Sequence, residues 1–534
     1  MKFYIPFLLL LLGLFGCASE PEENLNFLED TSISVQSKVE KLLESDLLKR
    51  KKFSAEEITF LRNFYESVNY APQMVKTDST FSTRGELLLK LSKESLAFGI
   101  PTYTMKHSEG QDVHPLELEM MAMVNLSRMM SISKRGFFDY QTQQCKTILL
   151  AEKNAFKELM RAKGGTAKAK IILAQGPMSD TNYRDFANGI HHFYLTHLLD
   201  TIDFTAKEMK EFKKNSKPFA IKNLRSKGYL STESYSDNQF EKALLTFKLD
   251  NGLDSNFTID AHTLQALSES NFHRLTRAAI GLDKLRQRPK RGPKFVWINL
   301  PAYQLYFYAN DSLKAIHKLV VGKQSTPTPE LVSEIRRMIV YPYWKVPASI
   351  IKKEIMPSVY KNPSYLARHR YKLCKFDDTA RINPNTINWS LKPRGFSIIQ
   401  MPGIGNSLGI IKFEFLNNNS VYVHDTPQKG FFNHSVRSFS HGCMRCQDPI
   451  ELGKWMIKYD QKDRKKAMPP DTLDSLVRIG HHISIALKEK IPIYIEYQTV
   501  TTHDSKLVFH LDIYFREEKI IQILRKNQPK NSTK

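Results

Sequence analysis

Val421-Tyr422-Val423-His424-Asp425-Thr426-Pro427 and, a short segment later, Phe439-Ser440-His441-Gly442-Cys443-Met444-Arg445 are the stretches from which the fold and chemistry are read. A nucleophilic thiol needs a base or cation within hydrogen-bond reach. It also needs a tight turn whose backbone N–H groups can receive an oxyanion. Gly442 permits such a turn, and the N–H groups of Gly442 and Cys443 are then expected to face a substrate carbonyl. His424 closes a strand-like run, which suits a positioned base better than a mobile loop does. His441 lies two residues before Cys443; in an extended segment both project from one face, so His441 is a second candidate. Cys443-Met444-Arg445-Cys446 is also a C-x-x-C, the spacing of a redox pair or of half a zinc site. The sequence has no second C-x-x-C, and the nearest histidines do not give a zinc-finger spacing.

Outward from this pair, the periodicity from Lys294 onward is that of strands. Phe295-Val296-Trp297-Ile298-Asn299-Leu300 and Gln304-Leu305-Tyr306-Phe307-Tyr308, parted by Pro301-Ala302, carry a hairpin signature. Ile316 to Val321, Ile398 to Gln400 and Val421 to Val423 are further strand-like runs. Asp448-Pro449 predicts a helix start behind the thiol, with Asp as N-cap and Pro at the first helical position. With these residues in place, the sequence resembles the YkuD-type L,D-transpeptidases, whose signature is a His followed one segment later by Ser/Thr-His-Gly-Cys. Val321-Gly322-Lys323, Thr326-Pro327, Pro342-Tyr343-Trp344-Lys345-Val346-Pro347, Gln400-Met401-Pro402-Gly403 and Asn406-Ser407-Leu408-Gly409 resemble the large YcbB-like subfamily. Pro492-Ile493-Tyr494-Ile495 and Asp512-Ile513-Tyr514 extend the likeness, which spans 294–525. Met444 stands where that family usually has a small β-branched residue, and Cys446 reads as a packing residue or an oxidation-prone neighbour of Cys443.

The resemblance implies Cys443 as nucleophile, His424 as its base, Gly442 and Cys443 amides as the oxyanion hole, and a secondary role for His441. Arg445, Ser440, Tyr422 and Trp344 become substrate-side residues, with no metal or cofactor. The implied reaction is acyl transfer from a tetrapeptide stem through a Cys443 thioester, giving 3-3 cross-links in peptidoglycan. The same site resolved by water would make an L,D-carboxypeptidase or a hydrolase releasing wall-bound proteins. A catalytically idle wall-binding scaffold is the reading of a different class, opposed by the intact His424 and Cys443. An insert at about 342–394 resembles the subfamily's capping subdomain.

Upstream, Ile221, Leu224, Gly228-Tyr229-Leu230, Phe240 to Phe247, Asn251-Gly252-Leu253-Asp254 and Thr263-Leu264-Gln265-Ala266-Leu267 predict a compact helical unit over 217–288. It resembles the three-helix peptidoglycan-binding domain, with Lys248 where Gln is usual, and implies a glycan contact. Residues 31–216 read as a helical scaffold: Val35, Val39 and Leu42 form a stripe, Ser54-Ala55-Glu56-Glu57 a capping box, and 116–130 a Met-rich core segment. The expected fold is thus multidomain α+β: helical N-terminal scaffold, three-helix peptidoglycan-binding-like domain, and β-rich catalytic domain with an inserted cap.

At the N-terminus, Met1-Lys2 precedes an apolar run from Phe3 to Phe15, shorter than the roughly twenty residues a spanning helix needs. Leu14-Phe15-Gly16-Cys17 resembles a bacterial lipobox, so 1–17 is expected to be a lipoprotein signal with lipidation at Cys17, and 18–30 a tether. Ala18 in place of an aspartate favours an outer-membrane anchor facing the periplasm. Residues 526–534 form a polar tail, and a monomer is expected. The 534 residues suit about three domains at roughly 150 residues each. Their net charge of +23 predicts an anionic partner. Export makes that partner the envelope and its carboxylate-bearing stems, and excludes intracellular nucleic acid.

Overall fold

A computed structural model describes residues 26–105, 113–200, 206–212, 214–231, 234–375, 381–460 and 468–528. The expected signal segment with Cys17, most of the tether and the end of the polar tail lie outside the described residues. Among the described residues, no helix is long and apolar enough to cross a membrane.

The chain divides into two compact units. One comprises Met1–Glu94, Met105–Ser131 and Leu149–Ile172. Its helix Val35–Glu44 buries Val35, Val39 and Leu42. Helix Ala55–Glu66 opens with the reciprocal Ser54/Glu57 capping box and buries Ile58, Leu61 and Tyr65. Met120, Met123, Leu126, Met129 and Met130 are buried, where unbranched Met side chains fill an irregular core. Glu119, fully buried, accepts hydrogen bonds from the Tyr65 hydroxyl and the N–H groups of Gln73, Met74 and Val75, which pins that loop.

The other unit comprises Ser95–Thr104, Ile132–Ile148 and Leu173–Lys534. Helices Ser216–Ser226, Asp237–Asp250 and Ala261–Ser268 enclose a core of Leu224, Phe240, Leu244, Phe247, Leu264 and Leu267. Buried Lys248 donates to the Thr258 carbonyl at 2.8 Å and to Asn256 Oδ1 at 2.5 Å, tying down the turn after its own helix. The next helix, Asn271–Arg286, belongs to a different core. Its Leu275, Ala278 and Leu282 pack with Tyr183, Phe186 and Ile190 of helix Thr181–Thr196 and with Val500, Leu507 and Phe509. The core of these three helices therefore ends before helix Asn271–Arg286, short of the expected limit at 288, because an amphipathic stripe does not say which neighbour covers it.

Among the described residues, nine strands form the main sheet: β1 Phe295–Asn299, β2 Gln304–Ala309, β3 Ser312–Gly322, β4 Leu331–Val340, β5 Ile411–Phe415, β6 Val423–His424, β7 Ser438–Ser440, β8 Met444–Cys446 and β9 Ile483–Glu496. Their order is β7-β3-β8-β6-β5-β4-β9-β1-β2, and β2 also pairs with β3, closing the circuit. Alternating side chains, Leu305 and Phe307 or Ile411 and Phe413 among them, point into one core. Met444 and Cys446 are both fully buried in it. Cys443 and Cys446 are both free thiols in this structure, with Cys446 held in the sheet core.

Between β4 and β5 lies an insert with its own four-stranded sheet, ordered Trp344–Lys345, Phe396–Gln400, Tyr371–Lys375, Arg381–Ile382. Val346, Ile351, Ile355, Val359, Leu366, Leu373, Trp389 and Ile398 form its core. The last strand runs to Gln400, beyond the expected end near 394.

Candidate active site

The thiol sits on a turn wrapped around the end of β3. Ser440 of β7 pairs parallel with Gly322, and Arg445 of β8 pairs antiparallel with Val320 on the opposite edge. His441, Gly442 and Cys443 reverse the chain between them. Such a reversal puts Gly442 at φ +115, a region that L side chains avoid.

Four side chains brace this turn. Ser440 Oγ donates to the Cys443 carbonyl at 2.5 Å and accepts from the Gly442 N–H at 3.1 Å. Buried Thr328 Oγ1 donates to the Gly442 carbonyl at 2.8 Å and accepts from the Gly322 N–H at 2.9 Å. Thr326 Oγ1 donates to the Ser440 carbonyl, and the Tyr514 hydroxyl donates to the Gly322 carbonyl at 2.6 Å. One expectation changes here: the Gly442 N–H is not free for an oxyanion, because the Ser440 hydroxyl already satisfies it. The Cys443 N–H has no hydrogen-bond partner among the described residues.

His424 lies in a row with Lys412 on one side and Arg445 on the other. It is buried, and its Nδ1 hydrogen-bonds the Asp425 carbonyl. That bond is consistent with a proton on Nδ1, and the Leu408 backbone also interacts with the ring. Burial, followed by the Arg445 charge, pushes the imidazole pKa down to about 3. The Asp425 carboxylate accepts from the Ile410 N–H at 3.0 Å and pairs with Lys429, holding the loop before β5 against His424. Buried Asn406 fixes the same loop through the Pro342 and Met401 carbonyls.

Cys443 Sγ lies 3.8 Å from the Ser420 carbonyl. Burial raises the thiol above its ordinary range, while the Tyr422 N–H and hydroxyl, Lys412 and Arg445 act in the opposite direction. No hydrogen bond joins Cys443 to His424 among the described residues. A raised thiol beside a depressed imidazole gives a resting site with both groups neutral.

Of the other expected residues, Tyr422 links the site together. Its ring centroid is 5.6 Å from that of His424, and its hydroxyl interacts with both Cys443 and Trp344 of the insert. The Arg445 guanidinium donates to Gln428 Oε1 at 2.7 Å and lies over the Phe431 ring. Among the described residues no carboxylate pairs with it. His441 turns to the insert instead, with Nε2 at 2.7 Å from Glu354 Oε1. The segment is a turn rather than an extended strand, so the shared face expected for His441 and Cys443 does not apply. Thr328, Lys412 and Glu354 were not singled out by sequence, and Asn406 and Tyr514 were quoted only within motifs, with no role given. Their roles depend on contacts from strands and loops far along the chain. Among the described residues, no group of three or more His, Cys, Asp or Glu is arranged to hold a metal.

The comparisons with known proteins fall on this region. Over 226 residues the chain is 25% identical to a Haemophilus influenzae protein described as "Putative L,D-transpeptidase". The alignment covers 42% of this chain and 45% of that protein, so the chain spans about half the length of the curated relative it matches. Residues 293–466 match the YkuD family of L,D-transpeptidase catalytic domains, a span that holds His424, Ser440, Gly442, Cys443 and Arg445.

Proposed function

We propose that this protein is an exported peptidoglycan L,D-transpeptidase that forms 3-3 cross-links through a Cys443 thioester. The observation that carries the reading is the Gly442 turn, which presents a thiol and a Cys443 N–H that is unpartnered among the described residues, with the buried His424 imidazole on the strand paired to β8. His424 takes the thiol proton as sulfur attacks the carbonyl of the third stem residue. The Cys443 N–H receives the oxyanion. His424 then protonates the departing D-residue amine, and an amine from a second stem resolves the thioester. Arg445 pairs with a stem carboxylate. Tyr422 and Trp344 line the donor side, and the insert covering them limits access of water.

In the same reading, the chain is anchored through Cys17 to the periplasmic face of the outer membrane and acts as a monomer. The module at 217–288 contacts glycan. The span 294–525 is the catalytic domain, and no metal or cofactor is required. Purified protein is incubated with disaccharide-tetrapeptides, and the products are analysed by mass. Dimers formed by wild type and absent with Cys443→Ala are expected; tripeptide monomers alone would assign hydrolysis instead.

A further inference from the structure

We propose that Glu354 of the insert, working with His441, receives the amine of the acceptor stem; this inference rests on the transferase reading above. An alkyl amine has a pKa of about 10.4, so it reaches the site as an ammonium at neutral pH. Lys412 and Arg445 flank His424, and both also act on the Cys443 thiol. An ammonium approaching along that row meets two like charges, so it needs an anionic group elsewhere on the rim.

Nearby carboxylates are already engaged. Asp425 holds the Ile410 N–H and Lys429, while Glu414 pairs with Lys412 and Arg337. Glu354 differs, because its side chain is 51% exposed and its contact is the nucleophile's own turn, 2.7 Å away at His441 Nε2. It sits in a π-helical turn, Ile351–Ile355, whose Ile351 and Ile355 anchor in the insert core. Such an extra residue in a helical turn re-aims a side chain and recurs at functional sites. Glu354 Oε1 accepts from His441 Nε2–H, and Nδ1 of the same ring has no hydrogen-bond partner among the described residues.

The ammonium gives one proton to His441, and Glu354 balances the new charge. The freed nitrogen lone pair attacks the thioester carbon. The C–N bond forms, the C–S bond breaks, and the second nitrogen proton passes through His424 to the departing sulfur. His441, partly exposed, returns its proton to water.

The test loads wild type and Glu354→Gln with the tetrapeptide donor. The thioester is then resolved with either a stem peptide bearing a side-chain ammonium or hydroxylamine, which is uncharged at neutral pH. Loss of one charge-assisted contact is expected to lower transfer to the ammonium stem about tenfold and raise its half-saturating concentration. Thioester formation and hydroxylamine turnover stay near wild type, and Glu354→Asp recovers part of the transfer. Equal losses with both nucleophiles, slower thioester formation, or no loss at all would overturn the assignment. A wild type that never forms the thioester would overturn the transferase reading itself, a result distinguishable from the others.

Discussion

Replacing Thr328 by Val tests whether the Cys443 turn is held by its braces. Valine keeps the shape of threonine and removes one oxygen. That oxygen satisfies the Gly442 carbonyl at 2.8 Å and the Gly322 N–H at 2.9 Å in a fully buried position. Each orphaned buried group costs about 1–3 kcal/mol, so the pair costs about 2–4 kcal/mol after partial relaxation. A loss of that size is a large share of the ~5–15 kcal/mol that holds a typical domain folded. The functional effect is larger than stability alone implies. The Gly442 carbonyl is what fixes the turn carrying the Cys443 N–H and thiol, and a shift of about 1 Å there costs roughly 100-fold in rate. Thr328→Ser keeps both hydrogen bonds and loses one methyl, at about 1 kcal/mol. Urea unfolding reads the midpoint at constant m-value, and intact mass reads the rate at which Cys443 is acylated by a tetrapeptide donor under the proposed function. A Thr328→Val protein within about 0.5 kcal/mol of wild type that acylates at the same rate would refute the bracing role. So would a Ser variant as damaged as the Val variant.

Other consequences are equally direct. His424 has a folded pKa of about 3, below its unfolded value of about 6.5, so the stability its neutral form contributes is complete above pH 6.5. It is lost as pH falls toward 3, at up to about 1.4 kcal/mol per pH unit; melts of His424→Gln should show a shallower acid limb than wild type. Arg445 lowers the Cys443 thiol and also depresses His424. Arg445→Ala should therefore slow iodoacetamide alkylation of Cys443 at pH 8, with the alkylation profile moved to higher pH. Cys446 is buried in the sheet core and should remain unalkylated in the native protein. Glu119→Gln exchanges one acceptor oxygen for an NH2 group among the hydroxyl and three backbone donors that face it. It should cost about 2–4 kcal/mol in denaturant unfolding without altering thioester formation.

Much of the catalytic fold was legible because local patterns carry it. The Trp297 and Tyr306 strands form the expected hairpin, and the Ser54/Glu57 capping box appears where Ser and Glu stand three residues apart. His424 and Cys443 could be proposed as a pair because thiol chemistry needs a base and a glycine turn, and both lie in short contiguous motifs. The bracing residues were hidden for the opposite reason. Thr328 acts on Gly442 across 114 residues, and Tyr514 on Gly322 across 192, and the residues around them do not show which distant group each one reaches. The Gly442 N–H was misjudged because a motif does not show which hydroxyl folds back on it; Ser440 does. Helix Asn271–Arg286 was assigned to the wrong core because its apolar stripe fits any apolar surface of matching width.

The most direct measurement is the intact mass of the protein during incubation with a tetrapeptide donor, followed by peptide mapping of the adduct. The expected result is a tripeptide-stem thioester on Cys443 that hydroxylamine removes, that is absent from Cys443→Ala, and that forms far more slowly in a folded His424→Ala. An adduct on any other residue, or one that persists in Cys443→Ala, would contradict the assignment of Cys443 as the nucleophile.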